Sequence, residues 1–387
     1  MTSKGIHGGL RVVVWGALLG LVASACGDRA PGPGVGDGAI TGDASVLDAG
    51  SGVDAGPGAD AGPGVDAGPT RPAFLVCDQA PDPTGLPTVD WNHTLSGITA
   101  SAGDPGHSAQ DVITVVGTPT ALVGKFAYGL ISKDLEDEWV EVYLDTCQGT
   151  MTRLGETLTD SDGRIAFDLA TADLPPVGRY RVWLRVKGDN SHTSSTLRVV
   201  LPDTHLMVMD IDATLTTDDM ELFQDVFADL FGPLGTGDYV PVPRAGAVDL
   251  TLRRGPPDQG YLLVYMTGRP YWLTDITRQW IADQGLSPGH LHVTDSNGEA
   301  LPTESGVGTY KRDYLLFLLG LGLQIDAAYG NATTDIWAYE QAGVDKASTF
   351  IVGDHGGESG TVDVGDDYTA HLQDIAGEPD VVQPFDW

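Results

Sequence analysis

The sequence predicts two folded parts in succession: an antiparallel β-sandwich, then an α/β domain on a doubly wound parallel sheet. A change of pattern near residue 202 predicts this. Before it, short runs alternate apolar and polar residues between Gly, Asp and Pro turns, which marks strands with one buried face. After it, continuous apolar runs alternate with helix-like segments, as in strands buried on both faces of a parallel sheet. The hydrophobic content of 41% allows a sizeable core, so wholesale disorder is excluded.

The N-terminus reads as a leader. Lys4 and Arg11 precede an apolar run from Val12 to Ala25, 14 residues long, too short to span a bilayer and suited to a signal-peptide core. The run ends Ala23-Ser24-Ala25-Cys26, which resembles a bacterial lipoprotein cleavage box. The resemblance implies cleavage before Cys26, acylation of its thiol, and an exported chain anchored to a membrane of the cell envelope. With Cys26 acylated, Cys77 and Cys147 remain, and an exported protein with two spare cysteines is expected to join them. Two free buried thiols are the alternative.

Residues 26–72 follow as a tether of Gly, Ala, Pro and Asp. Asp-Ala-Gly recurs at Asp48, Asp54, Asp60 and Asp66 with a strict period of six. Such a composition cannot build a core. About 45 residues of random coil would span roughly 35–40 Å.

An immunoglobulin-like sandwich is expected over 90–202. Val140, Val142 and Leu144 alternate with Glu141 and Tyr143. Ile165, Phe167 and Leu169 follow the turn Asp160-Ser161-Asp162-Gly163. Tyr180, Val182, Leu184 and Val186 alternate with Arg181, Trp183 and Arg185, and Leu197, Val199 and Leu201 close the segment. Nothing here suggests catalysis; the expected role is spacer or substrate platform.

The α/β domain is expected over 203–387. Strands are expected at 206–209, 261–266, 291–294, 325–329 and 348–352, and helices at 220–231, 275–284, 310–321 and 334–342. A ligand should lie at the carboxyl ends of such strands. The chain carries 21 basic and 54 acidic side chains, a formal charge of −33, and should be repelled by nucleic acid and by anionic head groups. Nucleic-acid binding is excluded on that ground. A covalent lipid would remove the need for electrostatic attraction to a membrane.

Chemistry-bearing residues stand where the strands end. Asp210-Ile211-Asp212-Ala213-Thr214 follows the first, Thr267-Gly268-Arg269-Pro270 the second, and Gly330-Asn331 through Asp335 the strand after Lys311. Three carboxylates, a hydroxyl, an amide and an ammonium suit phosphoryl transfer. One carboxylate acts as nucleophile, and a second two residues on serves as acid and base. Mg²⁺ takes hard oxygens, and the hydroxyl and lysine hold the phosphoryl oxygens.

This order of motifs resembles the haloacid-dehalogenase phosphatase superfamily. Ala327 to Asn331, Asp335 to Tyr339, Val344, Asp275 to Arg278 and Tyr310-Lys311 look more closely like the lipin-type phosphatidate phosphatases and the related domains of lipid-transfer proteins, over about Leu206 to Phe350. The resemblance implies an Mg²⁺-dependent phosphatase of phosphatidic acid. Carried over by position, Asp210 is the nucleophile and Asp212 the acid/base. Thr267, Arg269 and Lys311 bind substrate, and Asp210, Asp212, Asp335 and Asn331 hold the metal. The alternatives are a phosphatidic-acid-binding module without turnover, and a phosphatase of another ester. Two departures stand out: Ala213 replaces the family's glycine, and the lipin membrane helix is absent. The intervals between motifs leave no room for a large cap, so an open site that admits a bulky lipid is expected. His290 and His292, two apart on a strand, are a possible zinc pair without a third ligand.

Overall fold

The computed structural model describes residues 73–129, 132–217, 241–256, 258–295 and 303–384. The leader, Cys26, the tether and the helix expected at 220–231 lie outside the described residues.

The sandwich comprises β1 (Leu75–Cys77), the short helix α1 (Ser96–Ala100), and ten further strands: β2 (Ser108–Ala109), β3 (Val112–Val115), β4 (Thr120–Lys125), β5 (Ala127–Tyr128), β6 (Lys133–Asp134), β7 (Trp139–Asp145), β8 (Met151–Leu158), β9 (Arg164–Leu169), β10 (Gly178–Val186) and β11 (His192–Val200). One sheet runs β3-β11-β10-β7-β8, and β1 joins β10 beside Gly178–Tyr180. A second sheet runs β2-β4-β9. Tyr180, Val182, Leu184 and Val186 point into the shared core with Val140, Val142, Leu144 and Leu197, as their alternation requires.

The expectation of a purely antiparallel sandwich needs correction: β1 lies parallel to β10, and β3 parallel to β11. Both are short strands added at places the long hairpins leave open. The Cys77–Cys147 disulfide, Cα–Cα 4.5 Å, ties three-residue β1 to the turn after β7. Glu141, Tyr143 and Arg185, expected on a solvated face, do leave the core but are covered. Arg185 pairs with Glu141 at 2.5 Å and donates to the carbonyl of Pro87 at 2.6 Å.

The α/β part comprises β12 (His205–Asp210), α2 (Ala247–Arg254), β13 (Leu262–Pro270), α3 (Thr274–Asp283), β14 (His290–Thr294), α4 (Thr309–Gly320), β15 (Gln324–Gly330), α5 (Thr333–Ala342), β16 (Thr349–Val352), β17 (Val362–Gly365) and α6 (His371–Asp374). Its sheet runs β14-β13-β12-β15-β16-β17, with every neighbouring pair parallel. Successive β12 residues serve opposite faces. Met207 and Met209 pack with α2 and α3 through Leu250 and Trp280, while Leu206 and Val208 pack with α4 and α5 through Leu315 and Tyr339. Helix α2 and strand β17 were not foreseen. The first carries two arginines and a threonine among its eight residues, and the second has only four residues and owes its form to pairing with β16.

The strand order reverses between β12 and β15. In parallel sheets of this kind, ligands bind outside the carboxyl ends of the strands at such a switch point. Asp210 closes β12 and Asn331 directly follows β15.

The sandwich also closes the sheet's outer edge. An edge strand offers unpaired backbone groups at alternate residues. On β14 and the residue before it, these meet side chains from the sandwich. Arg198 Nη2 donates to the Gly289 carbonyl at 2.6 Å, the Leu291 N–H donates to Asp111 Oδ2 at 3.2 Å, and Gln110 Nε2 donates to the Val293 carbonyl at 3.0 Å. Ile113, Val115 and Val200 of the sandwich share a core with Leu206, Val208 and Val264. The sandwich, for which the sequence suggests a role as spacer or substrate platform, clamps the β14 edge.

Candidate active site

Asp210 is delivered by an apolar strand that is buried on both faces, so its carboxylate emerges at the sheet's end with little freedom. Lys311 sits in the first turn of α4 and reaches across. Its Nζ donates to Asp210 Oδ1 at 2.6 Å and to Asp335 Oδ1 at 2.6 Å. The other Asp335 oxygen accepts the N–H groups of Asn331 at 3.0 Å and Ala332 at 3.1 Å, closing the N-terminus of α5. The Thr214 hydroxyl lies 2.8 Å from Asp210 Oδ2 and 3.0 Å from Asn331 Oδ1, and its single proton serves one of them.

Asp212 forms a separate cluster. It accepts from Thr267 Oγ1 at 2.6 Å and from Arg269 Nε at 2.9 Å. Arg269 Nη2 reaches the same carboxylate at 2.8 Å. Thr277 of α3 steadies the guanidinium by accepting from Nη1 at 3.2 Å. The sequence-identified residues thus come together as two adjoining groups: Asp210–Lys311–Asp335–Asn331, and Asp212–Thr267–Arg269. The Asp212 side chain, expected among the metal ligands, is engaged away from Asp210 and Asp335. Among the described residues, no three His, Cys, Asp or Glu side chains gather around one point.

Three carboxylates against two cations leave one surplus negative charge. Burial pushes the Asp210 carboxyl up to about 7; Lys311 pulls it down, while Asp335 and Asp212 push it further up. Burial pulls the Lys311 ammonium down, but Asp210 and Asp335 outweigh it and raise its pKa, so the lysine stays charged. Asp210 and Lys311 are each 3% exposed and Asp335 1%. The three groups are thus held inside the end of the sheet. Asp212 and Asn331, beside them, are only partly buried. Residues 218–240 are outside the described residues.

Ala213 adopts φ +54°, the left-handed region that the family's glycine would occupy without strain. A non-glycine residue there costs roughly 1–2 kcal/mol. Arg244 was missed by sequence reasoning. Its guanidinium donates to the Ala213 carbonyl at 2.5 Å, the Thr214 carbonyl at 3.2 Å and the Asp366 carbonyl at 2.7 Å. No spacing rule links residue 244 to 213. Thr214 did carry a signal, as the last residue of the Asp-x-Asp-x-Thr motif.

Among the described residues, the histidine pair gathers no third ligand of the His, Cys, Asp or Glu type. His290 and His292 stack at 17° with centroids 6.4 Å apart, so their in-plane lone pairs run alongside each other rather than meeting. His290 instead shares a 2.5 Å hydrogen bond with the Tyr314 hydroxyl.

Residues 207–353 match the family model described as PITM 1-3, LNS2 domain, and residues 105–199 match PITM 1-3, beta-sandwich domain. The first fits the haloacid-dehalogenase-like character read from the motifs. Protein retinal degeneration B of Drosophila melanogaster is 30% identical over 301 residues, covering 76% of this chain and 22% of that protein. Membrane-associated phosphatidylinositol transfer protein 1 of Homo sapiens is 28% identical over 275 residues, covering 69% of this chain and 20% of that protein. Membrane-associated phosphatidylinositol transfer protein 3 of Mus musculus is 29% identical over 283 residues, covering 70% and 26%. The chain spans about a fifth to a quarter of the length of these curated relatives. The names of the two phosphatidylinositol transfer proteins describe lipid transfer and membrane association rather than phosphatase activity.

Proposed function

We propose that this chain binds a lipid phosphomonoester at the Asp210–Lys311 site and hydrolyses it, phosphatidic acid to diacylglycerol being the reaction that fits best. The observation that supports turnover is the separation of two carboxylate environments. Asp210 faces Lys311 and Asp335, while Asp212 stands two residues on beside Thr267 and Arg269. The names of the relatives support the lipid class of the ligand.

In this reading an Asp210 oxygen attacks phosphorus and the ester P–O bond breaks. Asp212, released as Arg269 turns to the phosphoryl group, relays a proton from solvent water to the departing alkoxide. Thr267, Arg269 and Lys311 donate to the phosphoryl oxygens as their internal partners yield. Water then adds to phosphorus and gives a proton to Asp212, the Asp210–phosphorus bond breaks, and inorganic phosphate leaves. The donor set suits Mg²⁺, which is content with one or two carboxylates and several waters. Asp210, Asp335 and Asn331 would hold it, and it would offset the phosphate charge.

A second reading, binding without turnover, is favoured by the burial of Asp210 and its raised pKa, since a protonated carboxyl is a poor nucleophile. The deciding experiment measures phosphate release and vesicle capture by the full chain, with and without Mg²⁺, on phosphatidic acid vesicles and on small phosphate esters. Release from vesicles that Asp210→Asn abolishes sustains the phosphatase. Capture without release from any substrate establishes the binding module, and release from small esters alone moves the substrate to a soluble one.

The anchor belongs to the same proposal. An acylated Cys26 and the tether of residues 26–72 would hold the site near an envelope membrane of a bacterial cell. Among the described residues no helix is long and apolar enough to cross one.

A further inference from the structure

Arg244 is the convergence point of a loop that the candidate chemistry depends on, and none of the motifs includes it. The segment from Ile211 to Thr216 leaves β12 and turns sharply. The N–H groups of Leu215 and Thr216 both return to the Ile211 carbonyl, at 2.9 Å and 3.1 Å. The turn places Ala213 at φ +54°. That geometry aims Asp212 at Thr267 and, on the other side, Thr214 at Asp210.

A second strand of evidence concerns how Arg244 itself is held. Thr216 bridges Pro243, and the Arg244 N–H donates to the Leu215 carbonyl at 2.8 Å. The guanidinium is therefore fixed against the very turn it serves. It binds the carbonyls of Ala213, Thr214 and Asp366 together, and the Tyr368 hydroxyl adds a fourth donor, to the Thr214 carbonyl at 3.2 Å. The three carbonyls are met by three different nitrogens of a planar fork, a spread that the single nitrogen of an ammonium does not have. These bonds offset the strain that alanine brings to a left-handed position.

We propose that Arg244 is a positioning residue that holds the Ala213–Thr214 turn in its left-handed form, and so sets Asp212 against Thr267 and Thr214 against the Asp210 carboxylate. For its effect on catalysis this rests on the phosphatase reading; for its effect on the turn it does not. The claim makes a particular forecast. Glycine adopts the turn without strain, so Ala213→Gly should make Arg244 partly dispensable.

The test is a double-mutant cycle on the full chain with Arg244→Ala, Arg244→Lys, Ala213→Gly and the Ala213→Gly/Arg244→Ala pair. Phosphate release from phosphatidic acid vesicles with Mg²⁺ and the midpoint of urea unfolding are read for each. Arg244→Ala should lower kcat about tenfold, with KM changed much less, because positioning is felt in the transition state. Arg244→Lys should recover only part of that loss. In the Ala213→Gly background the loss of kcat on removing Arg244, and the accompanying shift of the unfolding midpoint, should fall by about half or more. Strictly additive effects in both readouts, or wild-type kcat and midpoint in Arg244→Ala, would overturn the proposal. If the wild-type chain releases no phosphate from any substrate, the phosphatase reading fails, and coupling in the unfolding midpoint alone decides whether Arg244 holds the turn.

Discussion

Asp111→Asn tests how the sandwich is attached to the parallel sheet. Asp111 is 6% exposed and receives four partners at once. Its Oδ1 accepts from the Thr196 N–H at 2.9 Å and Arg278 Nη2 at 3.0 Å, and its Oδ2 accepts from the Leu291 N–H at 3.2 Å and faces Arg198 Nη1 at 3.6 Å. Burial alone would push this carboxyl up. Arg278 and Arg198 more than reverse that and hold it near 2, against an ordinary 3.8. A displacement of that size corresponds to roughly 2–3 kcal/mol of stabilisation at neutral pH. Removing one partner of a buried ion pair costs about 3–5 kcal/mol, because the other charge stays buried. Arg198, already lowered to about 10 by burial although Asp111 opposes this, would be left with its like-charged neighbours. The expected loss is therefore about 2–5 kcal/mol at pH 7. The sign with pH follows from the depressed carboxyl. The stabilisation is fully present above the ordinary value of 3.8 and is lost as pH falls towards 2. Urea unfolding of wild type and Asp111→Asn across pH 7 to 2 measures the difference, and hydrogen exchange at the Leu291 amide should accelerate in the variant. A difference under about 0.5 kcal/mol at pH 7, the level of an ordinary surface change, would refute the reasoning. So would a larger difference that fails to shrink between about pH 4 and 2.

Asp210→Asn should abolish phosphate release, by a factor of roughly 10³ or more, while the unfolding midpoint changes little; near-native turnover after deamidation is excluded would dismiss the covalent route. Asp335→Ala should raise the Mg²⁺ concentration needed for half-maximal release, and an unchanged Mg²⁺ dependence would remove it from the metal ligands. Reducing the Cys77–Cys147 bridge, which closes a separation of 70 residues, should lower stability by at most about 4 kcal/mol in the chain-entropy model, read as a lower urea midpoint. Cys26→Ser should lose activity on phosphatidic acid in vesicles and keep it on a short-chain soluble analogue, since an anchor raises local concentration without touching Asp210 or Asp212; equal vesicle activity at matched low concentration would reject that division.

The sequence by itself determined the features that depend on neighbours along the chain. Period-two alternation from Tyr180 to Val186 and the unbroken apolar run at Leu206 to Met209 report which faces are buried, so both strands could be located within a residue or two. The motifs carrying Asp210, Asp212, Thr267, Lys311 and Asp335 were legible for the same reason, since each follows or flanks a recognisable element. What only the tertiary structure decided depends on partners far apart in sequence. Asp212 faces Arg269 rather than Asp335, β1 and β3 add in parallel, and three side chains of the sandwich finish the edge of β14. Local periodicity records how much water a side chain loses but not which distant group replaces it. The turn at Ala213 shows the difference most directly. The substitution of alanine for glycine is visible in the sequence, yet its φ of +54° and the arginine 31 residues away that holds the turn are visible only once the chain has folded.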